Sequence, residues 1–390
     1  MKIAVITDGD AKGSGYRNIA MPLCEGLAKK GHDLKMSALS YRREEHWFNF
    51  SILPAGNLDE IAAIVKNLAN FWKFDILLVL VDIHWQEKIL TQFPERSFKY
   101  VGIMPIEADP LCVSWAMILM QMYKVFIISQ FGADEAQKQG INAEHILIGI
   151  DPEMWKFRTP EDRTEGRGVF GYSGEQFVVL TVADNQERKN LAKGMEIFAE
   201  FAESHEDARY VLVTREHQFV GWKLQDYAQE LGMIDKFMVL ERGMIQEALW
   251  EVYAMSDVLL MPSKAEGLCL PILESFAVGI PVIGTDCTAI HELLHEGGGY
   301  PMDYHELRVD KNGKSSSYTD PFGNGYRYIA KKEHGVKLLN DIYNYTTKNP
   351  EGVLELTKLS REYVESRDWQ IGIDQLDNAL KALKDDENEK

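Results

Sequence analysis

Cysteine is scarce in this chain: four in 390 residues. Cys24, Cys112, Cys269 and Cys287 lie far apart with no C-x-x-C pair, which excludes a disulfide framework and a cysteine-built zinc site and predicts four free thiols. Long hydrophobic runs are missing as well. No apolar stretch reaches the roughly 18 residues that a membrane-spanning helix needs; the longest, around Ile76–Val81 and Val258–Met261, have the length of strands. The opening Met1–Asp8 turns polar too early for a signal peptide, so a cytoplasmic protein is expected. Positive charge is in deficit. A net charge of −18 disfavours non-specific binding to nucleic acid or anionic membrane, although a local basic patch would still permit DNA.

What is present is an ordinary globular balance, 45% hydrophobic and 26% charged. The length suits two domains of about 150–200 residues. Strands are expected at Ile3–Thr7, Ile76–Val81, Tyr100–Met104, Val125–Ser129, Ile146–Ile150, Phe177–Val182, Tyr210–Thr214, Phe237–Leu240, Val258–Met261 and Pro281–Gly284. Most are continuous apolar runs, as in parallel strands covered on both faces. Between them Leu191, Met195, Phe198 and Ala202 share one helical face. This alternation predicts an α/β fold with parallel, doubly wound sheets. The Pro-, Arg-, Glu- and Gly-rich stretch between Asp151 and Glu175 has no apolar periodicity and reads as a linker. The expected division is an N-terminal Rossmann-like domain over 1–155, a linker over 156–174 and a C-terminal Rossmann-like domain over 175–365. A C-terminal helix over 366–390 would follow, able to pack back on the first domain. Asp310–Tyr318 reads as a surface loop and Lys384–Lys390 as a frayed tail.

The stretch Pro262–Ser275 carries the clearest chemical signal. It follows a buried strand and leads into an apolar helix, with Pro271 suited to the first helical turn. Backbone N–H groups of Gly267, Leu268, Cys269 and Leu270 at that helix start favour an anion such as a diphosphate. Glu266 in the loop and Glu274 in the first turn of the helix can accept hydrogen bonds from paired hydroxyls. The plain alternative is a solvated loop residue and a dipole-complementing one. Arg188 and Lys189 sit at a helix start, where cations are electrostatically unfavourable unless a ligand anion joins them.

These residues resemble the E-x7-E segment of glycosyltransferase family 4, a retaining family with the GT-B fold. Asn185–Asn190 resembles that family's "RK-N" turn, and Glu247–Tyr253 followed by Ser256–Val258 its "eeL..ly..aDv" stretch. Gly279–Asp286 resembles "GtPVvatd", His291–Leu294 "pELi", and Gly26–Asp33 "gLakrGHeV". The resemblance is dense from Val178 to Tyr300 and patchier elsewhere. It implies two Rossmann-like domains whose parallel sheets face a central cleft. It also implies a nucleotide-diphosphate sugar donor, UDP- or GDP-linked, used without cofactor or metal. Lys189 with Arg188 would meet the donor diphosphate, Glu274 the ribose, and Glu266 the donor sugar; Gly15 would lie near the phosphates. Glu107, Asp82 and His84 are candidates for the acceptor side.

Two departures from the family stand out. Asp184 occupies a position where an arginine is common, and is expected to point away from a diphosphate or to bind another group. The family's N-terminal histidine is not evident. Asp8-Gly9-Asp10 has the D-x-D form of a metal-binding motif in another glycosyltransferase class, but its glycine-rich surroundings read as a turn. The acceptor stays open among glycan, lipid, protein and modified nucleobase. A sugar-nucleotide epimerase, a phosphorylase or a non-catalytic binding module on the same architecture are the competing readings.

Overall fold

The computed structural model describes residues 1–12, 14–216, 221–309, 325–349 and 352–388, so Gly13 and the loop expected at Asp310–Tyr318 lie outside them. The chain divides into two compact units. One holds Met1–Ile106, Pro110–Gly149 and Arg367–Lys390; the other holds Glu107–Asp109 and Ile150–Ser366.

The first unit is built on seven parallel strands: β1 (Lys2–Asp8), β2 (Asp33–Leu39), β3 (Ser51–Ala55), β4 (Ile76–Leu80), β5 (Lys99–Met104), β6 (Lys124–Ile127) and β7 (Ala143–His145). Their order is β3-β2-β1-β4-β5-β6-β7, all parallel. The second unit repeats the plan with β8 (Phe177–Val182), β9 (Ala208–Thr214), β10 (Phe237–Glu241), β11 (Val258–Met261), β12 (Val282–Thr285) and β13 (Tyr300–Met302), ordered β10-β9-β8-β11-β12-β13. An antiparallel pair, β14 (Tyr304–Val309) and β15 (Gly325–Ala330), follows.

Apolar strands such as Phe177–Val182 form because both faces are covered, and Val178, Val179 and Leu180 are fully buried. The helix Leu191–Ala202 turns Leu191, Met195, Phe198 and Ala202 into the same core cluster. In each sheet the strand order reverses once, between β1 and β4 and between β8 and β11. Doubly wound sheets bind ligands beyond the carboxyl ends of the strands at such reversals.

Several expectations change. Ile146–Ile150 is not a strand; the edge strand of the first sheet is Ala143–His145, a few residues earlier. The 156–174 stretch is not an irregular linker but contains a helix, Pro160–Phe170, which belongs to the second unit. Thr159 and Asp162 close its start as a reciprocal capping box, and Gly171 ends it at φ 74°. Its grip is polar. Arg167, almost wholly buried, donates to the Met255, Ser173, Gly174 and Gln176 carbonyls and pairs with Asp257. The helix Trp369–Asn388 runs through most of the segment read as a frayed tail and belongs to the first unit.

Candidate active site

The reversal in the second sheet brings two loops together. Beyond β8 the chain makes a 3-10 turn, Glu187–Lys189, and beyond β11 it forms the loop 262–269. The Lys264 N–H donates to the Arg188 carbonyl at 2.8 Å, and the Asn190 side chain donates to the Pro262 carbonyl at 3.1 Å. On this frame Glu266, 4% exposed, is surrounded by donors. Lys189 Nζ lies 2.7 and 2.8 Å from its two carboxylate oxygens, Arg188 Nη1 2.9 Å from Oε2, and Ser263 Oγ 2.7 Å from Oε1. Its backbone N–H donates to Thr288 Oγ1 at 2.9 Å. Burial alone would push the Glu266 carboxyl up, but Lys189 and Arg188, with bonds from Lys189 and Ser263, overcome that and hold it at about 2.

Glu274 has the opposite electrostatics. It lies in the helix Leu270–Val278, in the second turn rather than the first, and is 8% exposed. Its Oε2 accepts from the Tyr253 hydroxyl at 2.7 Å. Burial pushes its carboxyl up to about 7, against weaker downward pulls from Tyr253 and Arg242. Two carboxylates eight positions apart are thus driven to opposite protonation behaviour, a pattern typical of acid–base and ligand sites.

The backbone around them is strained. Asn190 (φ 55°), Cys269 (φ 78°) and Thr288 (φ 47°) are all left-handed without being glycine. Such residues cost about 1–3 kcal/mol each and persist where the surroundings impose them, often at functional sites. Cys269 sits at the start of the Leu270–Val278 helix, so its geometry sets where that helix N-terminus points; Gly267, Leu268 and Cys269 are buried and Leu270 partly so.

Asp184 pairs with Arg242, and the Arg215 Nε lies 3.6 Å from its Oδ1. The acid at the family's arginine position therefore has its own counter-charges. Glu107, expected on the acceptor side, groups with the second unit, its carboxylate 3.9 Å from Arg188 Nε. In the first unit, Gly15 opens the helix Gly15–Lys29 and Asp82 follows β4, so both lie beyond the carboxyl ends at that sheet's reversal. Asp82 caps the helix Ile83–Leu90 by accepting from the His84 and Trp85 N–H groups, and the His84 ring meets Trp115 edge-on at 5.3 Å. Asp8 and Asp10 form a turn, the Asp10 N–H donating to Asp8 Oδ1. The sequence reading missed Ser263, Thr288, Tyr253 and Arg242. Tyr253 stood inside a quoted family stretch and Ser263 inside Pro262–Ser275, three residues before Glu266, so both could have been found there; Thr288 and Arg242 carry no local signal, because only the fold brings them to the two glutamates.

No helix among the described residues is long and apolar enough to cross a membrane. Over nearly its whole length the chain is similar to solved GT-B glycosyltransferases. Sucrose-phosphate synthase from Thermosynechococcus elongatus matches at 15% identity and TM-score 0.74, covering 98% of each chain. WaaG, a glycosyltransferase involved in lipopolysaccharide biosynthesis, matches at 15% identity and TM-score 0.70 over 97% of this chain and 99% of that one. Anabaena HepE, solved in complex with UDP-glucose, matches at 16% and TM-score 0.72 over 98% and 100%. Curated relatives match over shorter stretches. The D-inositol 3-phosphate glycosyltransferase of Mycolicibacterium smegmatis is 27% identical over 55% of this chain and 46% of its own length. The N-acetyl-alpha-D-glucosaminyl L-malate synthase of Bacillus anthracis is 26% identical over 35% of this chain and 34% of its own. The matched region thus spans less than half the length of these relatives. The chain has the two parallel-sheet α/β units of the GT-B fold, and residues 162–305, which hold Lys189, Glu266 and Glu274, match the model of the family described as Glycosyl transferases group 1.

Proposed function

We propose that the chain is a retaining glycosyltransferase of the E-x7-E type, family 4, that takes a hexose from a UDP- or GDP-linked donor without a metal ion. The observation that carries this reading is the set of two cations, Arg188 and Lys189, held on the buried Glu266 carboxylate at the second sheet's reversal point, beside a helix N-terminus. Both cations already stand beside an anion away from bulk water. A donor diphosphate would exchange with Glu266 as their partner, so little new desolvation is needed. Glu266 would then turn its oxygens to the hydroxyls of the donor sugar. Glu274, with its raised affinity for a proton, would accept from the ribose hydroxyls as a carboxylate.

Breaking the bond between the anomeric carbon and the phosphate oxygen leaves negative charge on the nucleoside diphosphate. Lys189, Arg188 and the amides of Gly267–Leu270 would stabilise that charge, which is strongest in the transition state. The acceptor hydroxyl attacks the anomeric carbon from the leaving-group side and passes its proton to the departing phosphate oxygen, so no side-chain nucleophile is needed. Incubation with labelled UDP- and GDP-hexoses tests this: slow donor hydrolysis with retained anomeric configuration, unaffected by EDTA, is the expected result. Epimerised sugar, or tight binding with no turnover across the panel, would refute the transferase reading.

A further inference from the structure

At the end of β12 the chain turns within two residues into the helix Thr288–Gly297, and three metal-ligating groups meet there: Asp286, His291 and His295. His291 Nδ1 lies 2.7 Å and His295 Nε2 3.0 Å from the same oxygen, Asp286 Oδ1, and all three ligand atoms fall within 4.8 Å of one another. The two histidines are one helical turn apart, so their rings leave the same face, with centroids 4.2 Å apart. None belongs to the glutamate site or takes a role in the proposed reaction.

We propose that Asp286, His291 and His295 form a binding site for one borderline divalent transition metal of the Zn2+, Co2+ or Ni2+ class. Two imidazoles and one carboxylate make an N2O set, which suits these ions and not Ca2+ or Mg2+, which require mostly oxygen. The distances allow it. A tetrahedral ion with bonds of about 2.1 Å separates its ligand atoms by about 3.4 Å, so the present contacts need to open by about 0.4 to 0.7 Å. Side-chain exposures of 58% for His291 and 48% for His295 leave the ion a path in, while Asp286, at 28%, is firmly placed. Its N–H is tied to the Met302 carbonyl at 3.0 Å, fixing the strand end. The helix is anchored too: the Ala289 N–H donates to the Glu266 carbonyl at 3.3 Å, and Thr288 Oγ1 accepts from the Glu266 N–H. Both ligand-bearing elements are held by these hydrogen bonds to neighbouring segments, which lowers the ordering cost of binding. Three protein ligands leave a fourth position for water.

Titration of the purified, tag-free full chain with Zn2+ alone, followed by calorimetry, tests the site. We expect one ion per chain and a rise in the thermal transition. His291→Ala and His295→Ala should each weaken binding roughly tenfold or more, and the double variant should abolish the thermal rise. The exposure of both rings makes folded variants the expected outcome, checked by circular dichroism. Co2+ loading should give a visible spectrum of nitrogen and oxygen ligation. Equal Zn2+ binding by wild type and double variant, no binding by wild type, or a thiolate-to-cobalt charge-transfer band that disappears in Cys112→Ser would each overturn the proposal.

Discussion

Glu274 and Glu266 are the same residue type, both buried, yet the fold gives one a proton affinity far above the other's. Glu274's folded value of about 7 stands above the ordinary 4.5 because burial outweighs Tyr253 and Arg242. A folded value raised in this way means that the stability due to the protonated acid is fully present below pH 4.5 and is lost as pH climbs to 7. Above that the buried charge costs about 3 kcal/mol. Glu274→Gln should therefore unfold at higher urea than wild type at pH 8 and at nearly the same urea at pH 5. A variant no more stable than wild type at pH 8 would contradict this. On the proposed function the same ionisation would govern ligand affinity. A ribose needs the carboxylate, so nucleoside diphosphate binding to wild type should tighten from pH 6 to 8, while Glu274→Gln should bind roughly ten- to hundredfold more weakly at pH 8 with a flat profile. Lys189 acts on the other glutamate. If Lys189 meets the donor diphosphate as proposed, Lys189→Ala should lower kcat about a hundredfold while raising the donor KM far less, because that charge partner would grow in the transition state. A variant whose loss sits wholly in KM would move Lys189 from the transition state to simple donor binding.

At the scale of elements, the helix Pro160–Phe170 shows what periodicity cannot reveal. Its sequence has no apolar stripe, because its anchors are guanidinium groups. Arg163 donates to Asp257 Oδ1 at 3.1 and 2.9 Å, Arg167 pairs with the other oxygen, and that oxygen also accepts the Val178 N–H at 2.7 Å. A helix held by buried charge looks like a linker in any hydrophobic pattern. Two substitutions separate its supports. Thr159→Ala removes only the cap and should cost about 1 kcal/mol. Asp257→Ala strands the buried Arg167 and should cost about 3–5 kcal/mol. Urea midpoints would rank them, and equal losses would mean that the ion network is not what fixes the helix. Where strands were continuous apolar runs, as at Phe177–Val182 and Val258–Met261, the reading and the structure coincide. Asp33–Leu39 escaped notice because Asp33, Lys35 and Ser37 interrupt its apolar residues, and the strands β14 and β15 because both mix polar and apolar residues, β14 being largely exposed and β15 burying Arg327 among its apolar neighbours. The segment of Lys189, Glu266, Cys269 and Glu274 was legible from its resemblance to a family, but the left-handed backbone of Cys269 and Thr288 was not, since a positive φ at a non-glycine residue is imposed by neighbours distant in sequence.

For the whole molecule the division of labour is uneven: the last helix of the chain completes the first unit, while both glutamates and both cations lie in the second. The C-terminal helix is woven into its unit by close contacts. Ile373 packs where any side chain at Gly26 would stand, with Ile373 Cδ1 2.4 Å from that position, and Trp369 backbone atoms approach Gly149 equally closely. Leu376 and Leu380 are fully buried, Asp377 Oδ1 meets His32 Nε2 at 2.8 Å, and the Leu147 N–H donates to Gln375 Oε1 at 2.9 Å. Burying Ile373, Leu376 and Leu380 contributes roughly 1.5–3 kcal/mol each, together comparable with the 5–15 kcal/mol that typically separates a folded domain from its unfolded chain. A chain ending at Ser366 should accordingly lose the cooperative transition of the first unit and expose it to limited proteolysis. Its second unit should still melt cooperatively, and saturating UDP or GDP, at about a hundred times its dissociation constant, should still stabilise it by about 2.7 kcal/mol. Sugar transfer, for which the acceptor-side candidates Asp82 and His84 lie in the first unit, should vanish. Loss of nucleotide stabilisation in a second unit that remains folded would mean that the donor site is not confined to Arg188, Lys189, Glu266 and Glu274 and draws on first-unit groups such as Gly15.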